Sequence, residues 1–460
     1  MQFSRLGFMC SVFFTLSLFS LITLNTSGQI VIDIAQSNQD LTYFGASRGD
    51  ALSPIAVGDF NGDGVKDILL GAPNANGKLG ERGAGAAYII LGPLPESSPR
   101  SASNVDLEAV GARITIFGCN VGDQLGTAVA AGDVNGDGID DIILGAPGAD
   151  GSIGSEAGNR INAGEVYVIF GRSDLFFGGK FDLCAKDQDV TIVGANTGDN
   201  LGAALAVSDV NKDSLMDIII GAPGGDGPSE ARSGAGEAYV LLGRQFSHSA
   251  VFDIAGALGP GPDVTVYGAE KGDMLGAAVA SGDVNKDGFV DLIIGAPLAD
   301  GPNNARPSAG EAYIILGSQL VGKTLPITID ISQGQQDVTI YGADPFDQLG
   351  ISLATGEVNH DGIYDIIIGA PGADGPNEAR AGAGEAYVIL GRANFSSVVD
   401  IKQGQQDVTV YGADVSDGMG ASVAAGQIGQ DEIDDILIGA PGAEPWQRKT
   451  YRRRSLYNLR

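Results

Sequence analysis

One sixteen-residue pattern recurs along this chain and limits the folds that the chain can adopt. The pattern reads GDVNGDGIDDIILGAP from Gly132. Related copies begin at Gly58, Ser208, Gly282, Gly356 and Gly426. Successive copies lie 74, 76, 74, 74 and 70 residues apart. A period of this length, holding several short apolar segments, predicts a repeat architecture rather than one irregular domain.

Each period contains four short segments that are rich in Val and Ile and bounded by Gly, Asp, Asn or Pro, as β-strands are. In the second period these segments are Leu125–Gly132, Asp141–Ala146, Val166–Phe170 and Val190–Val193. No sustained helical periodicity follows residue 28. Four antiparallel strands per unit, repeated radially, predict an all-β fold, a β-propeller with four-stranded blades. Six repeats are visible, which fits a six- or seven-bladed ring. A stacked β-solenoid is the alternative, although its repeats are usually shorter.

The two ends of the array differ from its middle. A copy of the fourth strand, DLTYFGA, begins at Asp40 before any loop, and we expect it to close the ring by completing the last blade. The last repeat loses its third strand after Gly442, so the closing blade is predicted to be incomplete. We therefore divide the chain into a signal peptide (1–28), a propeller (29–443) and a basic, atypical tail (444–460). A truncated or frame-shifted end explains the tail best, and a basic anchoring tail is the alternative.

The first 28 residues have the pattern of a secretory signal peptide. Arg5 precedes an apolar run from Leu6 to Leu24, and small and polar residues follow up to Gly28. An uncleaved membrane anchor is the alternative, because the run is just long enough to span a bilayer. No later segment is apolar enough to cross a membrane, so we expect a secreted or cell-surface protein without a membrane span after signal cleavage.

Two cysteines, Cys119 and Cys184, remain after the predicted cleavage. Two cysteines in a chain of this size do not form a disulfide framework. Alanine occupies corresponding positions in other repeats, which favours two small buried residues. Pairing between the two cysteines stays open.

The recurring pattern places oxygen-bearing side chains as calcium requires. Calcium takes six to eight oxygen ligands from carboxylates, amides, backbone carbonyls and water. In the second copy Asp133, Asn135 and Asp137 stand at loop positions 1, 3 and 5, Ile139 offers its carbonyl at position 7, and Asp141 stands at position 9. The loop is closed by an Asp at the start of the next strand, so it belongs to a β-hairpin and not to a helix pair. Without a cation, each pair of carboxylates would repel by roughly 1–4 kcal/mol.

Five loops are therefore predicted to bind Ca²⁺, and a sixth is predicted to bind weakly or not at all. The sixth loop keeps Asp431 and Asp435 but has Gln427, Gly429 and Glu432 where other loops have Asp, Asn and Gly. The repeats that carry the loops are centred near 59–73, 133–147, 209–223, 283–297, 357–371 and 427–441. The candidate metal ligands are Asp59, Asn61, Asp63, Val65 and Asp67; Asp133, Asn135, Asp137, Ile139 and Asp141; Asp209, Asn211, Asp213, Leu215 and Asp217; Asp283, Asn285, Asp287, Phe289 and Asp291; and Glu357, Asn359, Asp361, Ile363 and Asp365.

Charge and composition exclude some classes of function. The formal net charge is −30, which argues against nucleic acid as a partner, because phosphates attract Lys and Arg. The chain has two histidines, and one of them, His360, lies inside a predicted calcium loop. The sequence contains no His/Cys zinc cluster, nucleophile elbow or phosphate-binding loop. We therefore predict that the protein is not an enzyme and has no catalytic residues.

The quoted motifs resemble those of the FG-GAP repeat. FG or YG stands at 44–45, 117–118 and 267–268, and GAP stands at the end of all six copies of the pattern. The chain is thus similar to the β-propeller of integrin alpha chains over about residues 30 to 443. This resemblance implies calcium in the hairpin loops on one face of the propeller and ligand recognition on the other face.

Two further features recur in the long connections before the third strands. Arg and Glu recur at one spacing, and the simplest interpretation is an ion pair that orders the connection, with sugar binding as the alternative. These pairs are Arg160/Glu165, Arg232/Glu237, Arg306/Glu311 and Arg380/Glu385. Asp150, Asp226, Asp300 and Asp374 precede Gly in the same connections and are predicted to be turn residues.

The sequence therefore predicts an exported, calcium-stabilised β-propeller that serves as an adhesion or recognition module for an unidentified extracellular protein or glycan. One alternative is a structural matrix or surface protein without a specific ligand. The other is a carbohydrate-active enzyme built on a propeller.

Overall fold

The computed structural model describes residues 9–10, 41–44, 50–92, 103–106, 114–151, 160–175, 179–257, 259–427 and 433–443. These residues form β-strands, turns and short 3-10 helices, without an α-helix among them. The predicted signal peptide lies outside the described residues except for Met9–Cys10, and so does the basic tail at 444–460.

Six consecutive sheets, which we number 1 to 6, follow the six copies of the repeat. Sheet 1 contains Ile55–Gly58, Asp67–Ala72, Ala86–Ile90 and Ile114–Phe117. Sheet 2 contains Ala128–Gly132, Asp141–Ala146, Glu165–Ile169 and Val190–Val193. Sheet 3 contains Ala204–Ser208, Asp217–Ala222, Glu237–Leu241 and Val264–Tyr267. Sheet 4 contains Ala278–Gly282, Asp291–Ala296, Glu311–Ile315 and Val338–Tyr341. Sheet 5 contains Ser352–Gly356, Asp365–Ala370, Glu385–Ile389 and Val408–Tyr411, and sheet 6 contains Ser422–Gly426 and Asp435–Gly439.

The sheets have the arrangement of propeller blades. The strands of each repeat pair antiparallel in chain order, first to fourth, in sheets 1 to 5. The first strands of consecutive sheets lie side by side from sheet 1 through sheet 6. Short antiparallel sheets that share an inner edge in this way form a β-propeller, which confirms the predicted fold class.

Sheets 1 to 4 each carry a fifth strand that the sequence analysis did not predict. This outer strand comes from the following repeat, just before that repeat's own fourth strand, and pairs in parallel with the fourth strand of the preceding sheet. The four outer strands are Lys180–Asp182, Ala250–Asp253, Ile327–Asp330 and Val398–Asp400. They escaped prediction because each has only three or four residues and ends in Asp, a residue type that is depleted in strands. The outer strands tie each repeat to the one before it.

The two ends of the array differ from the sheets between them. Sheet 6 is a hairpin with the short parallel strand Met9–Cys10 beside it, and a third strand from its own repeat is absent from the described residues. The predicted N-terminal strand forms as Leu41–Phe44, but it pairs in parallel with Ser103–Asp106 in a separate two-stranded sheet. Closure of the ring by Leu41–Phe44 therefore stays a prediction.

Short 3-10 helices occupy two recurrent places in the connections. One group follows the outer strands and includes Leu183–Ala185, Ile331–Gln333 and Ile401–Gln403. Another group lies between the second and third strands and includes Pro228–Glu230, Pro302–Asn304 and Pro376–Glu378. A further 3-10 helix, Gly317–Gln319, follows the third strand of sheet 4.

The core lies between neighbouring sheets. Every residue of the second strand is buried in sheets 1 to 5, so these strands read as continuous apolar segments rather than alternating ones. Side chains of adjacent sheets interlock, as when Ile142 and Leu144 of sheet 2 join Leu69 and Ile89 of sheet 1 in one cluster. Burial on this scale, about 25 cal/mol per Å² of apolar surface, stabilises the array.

Two motif glycines mark places where backbones touch. A Cβ at Gly145, in the GAP of sheet 2, would lie 2.0 Å from the carbonyl oxygen of Gly202, in the segment that opens sheet 3. A Cβ at Gly118, in the FG of sheet 1, would lie 2.0 Å from the carbonyl oxygen of Ala84. Both glycines therefore recur because a side chain would push apart segments in backbone contact.

A disulfide joins Cys119 and Cys184, which corrects the expectation of two small unpaired residues. The outer strand Lys180–Asp182 runs parallel to Ile114–Phe117, with Asp182 opposite Phe117. The two cysteines therefore leave neighbouring strands at the same level, although they are 65 residues apart in sequence. The alanines at corresponding positions of other repeats did not indicate the pairing, because it depends on the outer strand Lys180–Asp182, which the sequence did not predict.

Candidate metal centre

The five predicted metal loops each connect the first and second strands of a sheet. In sheet 2, Asp133 directly follows the first strand and Asp141 is the first residue of the second strand. Sheets 1, 3, 4 and 5 have the same arrangement. The expected placement of the loops in β-hairpins is therefore confirmed.

Hydrogen bonds within the second loop fix its shape. The carboxylate of Asp133 accepts hydrogen bonds from the backbone N–H groups of Asp137 (3.1 Å) and Gly138 (2.8 Å). The amide oxygen of Asn135 accepts one from the N–H of Asp137 (2.8 Å), and Asp137 accepts one from the N–H of Ile139 (2.9 Å). The side chains at positions 1, 3 and 5 thus all turn toward the inside of one loop.

Asp141 closes the loop at the start of the second strand and is fully buried. Its two carboxylate oxygens accept hydrogen bonds from the N–H groups of Val134 (2.9 Å) and Gly171 (2.9 Å). Burial raises the pKa of Asp141, the two backbone hydrogen bonds lower it, and the carboxylates of Asp137 and Asp133 raise it, so that the pKa lies at about 7. A buried carboxylate close to other carboxylates is a position where a bound cation would be stabilised.

The same geometry repeats in the other loops. The carboxylate at position 9 accepts one hydrogen bond from the residue after position 1 and another from the Gly that follows the third strand. Burial raises the pKa of all these residues, to about 7 for Asp217 and Asp291 and to about 6 for Asp365. The pKa of Asp67 is raised by burial as well.

The loops differ where the sequence differs. Ser214 replaces the Gly at position 6 and takes a φ of 74°, yet its N–H still donates to Asp209 (2.8 Å). Glu357, at position 1 of the fifth loop, accepts from the N–H of Asp361 (2.8 Å), as Asp does elsewhere. Gly429 and Asp431 of the sixth loop lie outside the described residues.

Neighbouring loops are joined to each other at one end of the propeller. The N–H of Asp59 donates to the carboxylate of Asp140 (2.8 Å), and the N–H of Asp140 donates to the carbonyl of Asp59 (3.1 Å). Lys66 also reaches Asp140, at 2.8 Å. Loops 3, 4 and 5 are linked by Lys212, which donates to the carbonyl of Gly288, and by Lys286, which donates to that of Asp361. The loops therefore form an arc along one face.

The donor set has the chemistry that a hard divalent cation requires. Each of the five loops offers two carboxylates, an amide oxygen, a backbone carbonyl and a buried fourth side chain, all of them oxygen donors. One buried polar atom in the first loop, the Nδ2 of Asn61, has no hydrogen-bond partner. Among the described residues, no group of three Asp, Glu, His or Cys side chains stands in metal-binding geometry, since the carboxylates face loop N–H groups instead. The 25 candidate ligands therefore stay a prediction, and binding would bring their oxygens closer together around one ion.

The long connections between second and third strands lie at the opposite end, and here the sequence analysis was wrong. Arg232 does not pair with Glu237. It donates two hydrogen bonds to Asp330, at 2.8 and 3.0 Å, at the end of an outer strand. Glu237 instead accepts hydrogen bonds from the hydroxyl of Tyr239 and from the N–H of Gly227.

The same correction applies to the equivalent residues of sheets 2 and 4. Arg160 pairs with Asp253 and Arg306 pairs with Asp400, while Glu165 and Glu311 accept from Tyr167 and Tyr313. The carboxylate partner lies 93 to 98 residues after each Arg, which sequence spacing alone could not identify. A signal was present, since a β-branched or aromatic residue followed by Asp recurs before each fourth strand. Asp226, Asp300 and Asp374 accept hydrogen bonds from N–H groups of their own connections, as turn residues do.

One cleft of about 680 Å³ lies against sheet 3. Its lining includes Asn196, Glu230, Tyr267 and Thr328, together with the buried Glu237 and Tyr239. The cleft lies where the repeat is irregular, because the segment between the outer and fourth strands is three residues longer here than in the neighbouring repeats. Carboxylates and aromatic rings along an open cleft can contact a polar ligand with an apolar face.

Comparison with known proteins identifies the repeat. The FG-GAP repeat model matches residues 55–90, 125–169, 201–241, 275–315 and 349–389. Phosphatidylinositol-glycan-specific phospholipase D of Dictyostelium discoideum is 27% identical over 70% of this chain and 33% of its own length. Integrin alpha pat-2 of Caenorhabditis elegans is 32% identical over 54% of this chain and 18% of its own length. The solved structure of the Vibrio cholerae biofilm matrix protein Bap1 is 13% identical, covers 80% of this chain and 41% of that one, and has a TM-score of 0.33. The chain thus spans about a third of the length of the phospholipase D relative.

The comparison corrects one prediction about function. We predicted that the protein is not an enzyme because its sequence contains no recognisable catalytic motif. That prediction is wrong, since a phospholipase D is among the chain's curated relatives, over more of this chain than the integrin match covers. The resemblance to integrin alpha chains is confirmed.

Proposed function

We propose that this chain, an FG-GAP repeat protein that resembles the integrin alpha-chain propeller, is a calcium-stabilised β-propeller that acts outside the cell in adhesion or recognition. The observation that carries the proposal is the buried carboxylate at position 9 of all five loops, which is held beside the carboxylate of position 5 and, in four of the loops, also beside that of position 1. A divalent cation would neutralise each of these groups. Calcium, with its preference for six to eight oxygens, suits the donor set better than zinc, which prefers nitrogen and sulfur.

The loops would hold neighbouring strands and neighbouring sheets together. Each loop joins the first two strands of its sheet, and Asp59, Asp140, Lys212 and Lys286 join neighbouring loops. A cation drawn to each loop would remove the repulsion that opposes this arrangement. The opposite face, made of the long connections, would then be held rigid for binding.

The cleft on sheet 3 is a candidate position for a ligand. It combines Tyr267, whose ring can contact the apolar face of a sugar, with the hydrogen-bonding groups of Asn196, Glu230 and Thr328. These groups favour a glycan or a glycosylated protein over a purely apolar ligand. The formal charge of −30 disfavours strongly acidic ligands.

Three features support a location outside the cell. The N-terminal sequence has the pattern of a secretory signal, and the Cys119–Cys184 disulfide suits an oxidising compartment. Loops that bind at 10⁻⁴–10⁻³ M would be filled only where calcium is millimolar. Among the described residues no helix is long and apolar enough to cross a membrane.

A binding screen tests the recognition role. The chain would be applied to arrays of glycans and extracellular matrix proteins in the presence of calcium and of chelator. Binding that requires calcium and is lost in Tyr267→Ala supports the proposal. Tyr341, the equivalent residue of sheet 4, lies outside the cleft and provides the matched control variant, Tyr341→Ala. Binding to no ligand in calcium would favour a structural role instead.

A second candidate follows from the phospholipase D relative. The match covers 70% of this chain, so the propeller is also a candidate for part of an enzyme that acts on phosphatidylinositol-glycan anchors. Incubation of the chain with an anchored reporter protein on vesicles tests this directly. Release of the reporter would support catalysis, whereas reporter-dependent binding to vesicles without release would assign the propeller a targeting role.

A further inference from the structure

The end of every outer strand is fastened by an ion pair. Each outer strand of sheets 1 to 4 ends in an Asp, and a cation from the long connection of the same sheet pairs with it. The pairs are Lys78–Asp182, Arg160–Asp253, Arg232–Asp330 and Arg306–Asp400, at 2.7 to 3.0 Å. The fifth strand and its carboxylate thus form one unit that recurs four times.

Sheet 5 has the arginine of this ion pair, but no outer strand is found for it among the described residues. Its fourth strand, Val408–Tyr411, pairs with the third strand on one side, and within the described part of the chain no strand pairs with the other side. Arg380 occupies the place of Arg232 and Arg306 and donates to the carbonyls of Gly412 and Ala413. Among the described residues, no carboxylate lies within ion-pair distance of Arg380.

The side chains of this edge strand are also less covered than their equivalents. Val264 and Val266 of sheet 3 are each 1% exposed, whereas Val408 and Val410 are only partly buried. Tyr411 is 46% exposed. An open strand edge with apolar side chains is a place where another strand adds readily.

The N-terminal sequence contains a copy of the missing unit. Residues 30–44 read IVIDIAQSNQDLTYF, and residues 327–341 read ITIDISQGQQDVTIY, with eight of fifteen positions identical. Ile30 precedes Leu41 by eleven residues, as Ile327 precedes Val338. Leu41 precedes the first strand of sheet 1 by fourteen residues, the interval that also separates fourth and first strands in the other repeats. Asp33 takes the place of Asp330.

We propose that residues 30–33 of the same chain add in parallel to the free edge of Val408–Tyr411 as the fifth strand of sheet 5, with Asp33 paired to Arg380. The register follows that of sheet 3, where Ile327 lies opposite Val264 and Asp330 lies opposite Tyr267. Ile30 would therefore lie opposite Val408, and Asp33 opposite Tyr411. The N-terminal segment would join the last complete sheet and close the propeller.

Packing supports this occupant over an unrelated peptide. Ile329 and Ile331, the equivalents of Ile32 and Ile34, are 3% and 4% exposed and belong to the core between sheets 3 and 4. Ile32 and Ile34 would cover the partly buried valines of the edge strand in the same way. The predicted signal cleavage near Gly28 would place this strand at the start of the exported chain, free to dock.

Hydrogen exchange followed by mass spectrometry tests the docking. In the secreted chain, the N–H groups of 408–411 should be protected from exchange about as well as those of 264–267, which pair with the outer strand Ile327–Asp330. Asp33→Lys should speed exchange at 408–411 roughly tenfold or more and leave 264–267 unchanged. The matched control, Asp330→Lys, should do the reverse. Fast exchange at 408–411 in the unsubstituted chain, or no response to Asp33→Lys, would overturn the proposal.

Charge reversal separates a specific pair from general destabilisation. Arg380→Asp alone should speed exchange at 408–411, and Asp33→Arg combined with Arg380→Asp should restore most of the protection. Failure of the double variant to recover would contradict the Asp33–Arg380 pair.

Size-exclusion chromatography and mixing of isotope-labelled chains show whether the added strand comes from the same chain or from a second copy. Protection that appears only in dimers would contradict closure within one chain and indicate exchange of the segment between two copies.

Discussion

Asp141 and its counterparts combine burial with negative charge, an arrangement that costs free energy unless the charge is compensated. Each carboxylate is fully buried, accepts two backbone hydrogen bonds and faces at least one further carboxylate of its loop. The sequence predicted these loop positions because all candidate ligands lie within nine residues. It did not predict the partners of Arg160, Arg232 and Arg306, because those depend on a strand contributed by the next repeat. Local spacing is therefore informative for the loops and not for the ion pairs.

A single neutralising substitution should remove one calcium ion. Asp137 stands at loop position 5 and accepts a hydrogen bond from the N–H of Ile139, which the amide oxygen of Asn can also accept. Asp137→Asn should keep the loop's shape but weaken its attraction for a cation. Isothermal titration calorimetry should then find one site fewer than in the unsubstituted chain. Asp431→Asn in the degenerate sixth loop is the control and should leave the number of sites unchanged; equal stoichiometry in all three chains would contradict the ligand assignment.

Burial of acids outside the loops should make stability depend on pH. Burial raises the pKa of Asp347 to about 7 from its ordinary 3.8, with the nearby carboxylates of Asp344, Glu385 and Glu378 adding to the rise. Because the folded state disfavours the charged form, this residue opposes folding little below about pH 4 and increasingly as the pH rises toward 7. Asp347→Asn, measured in chelator, should therefore reduce the fall in melting temperature between pH 4 and 7. The exposed Asp174 gives the control Asp174→Asn, and equal pH profiles for both variants would refute the argument.

At the scale of the element, the outer strand explains most of what the sequence analysis missed. The four antiparallel strands were predicted from their Val- and Ile-rich segments, and their boundaries match within three residues in the second repeat, as Leu125–Gly132 against Ala128–Gly132 illustrates. The outer strands have three or four residues and end in Asp, so a recurring residue pair was the signal for them in the sequence, and their pairing with the preceding sheet identifies them as strands. Both corrections to contacts, the disulfide and the Arg–Asp pairs, follow from that one element.

The ion pair of sheet 4 should contribute strongly to stability. Arg306 donates to both carboxylate oxygens of Asp400, at 2.7 and 2.8 Å, and these hydrogen bonds lower the pKa of Asp400. The two side chains are 14% and 6% exposed. Arg306→Gln leaves a buried carboxylate without its cation, which should cost about 3–5 kcal/mol in urea unfolding. Adding Asp400→Asn should recover part of that loss, and a double variant as unstable as the sum of the two single variants would contradict direct pairing.

The disulfide should stabilise the one outer strand that is fastened by Lys rather than Arg. Lys78 holds Asp182 by a single contact at 3.0 Å, whereas the arginines make two contacts each. Cys119–Cys184 closes a loop of 65 residues. Replacing both cysteines by Ala should lower the free energy of unfolding by about 2–4 kcal/mol. Unchanged unfolding of the Cys119→Ala/Cys184→Ala variant, with or without reductant, would show that the bond does not form in solution.

At the scale of the whole molecule, negative charge is concentrated on one face, and the repeat sets the order of the blades. The chain carries a formal charge of −30, and five of its loops concentrate carboxylates along one face. The repeat predicted the blades and their order, because every blade reuses one strand pattern. Closure could not be predicted in detail, since the last repeat departs from the pattern after Gly442.

The most direct test of the account is thermal unfolding of the chain from residue 29 in a few millimolar calcium and in chelator, with magnesium as the control ion. A site with a dissociation constant of roughly 10⁻⁴ M adds about 1–2 kcal/mol under these conditions, and five sites act together. We predict one cooperative transition whose midpoint rises on the order of 10 °C with calcium and much less with magnesium. An unchanged midpoint in calcium would contradict the central claim that these loops bind calcium and hold the propeller together.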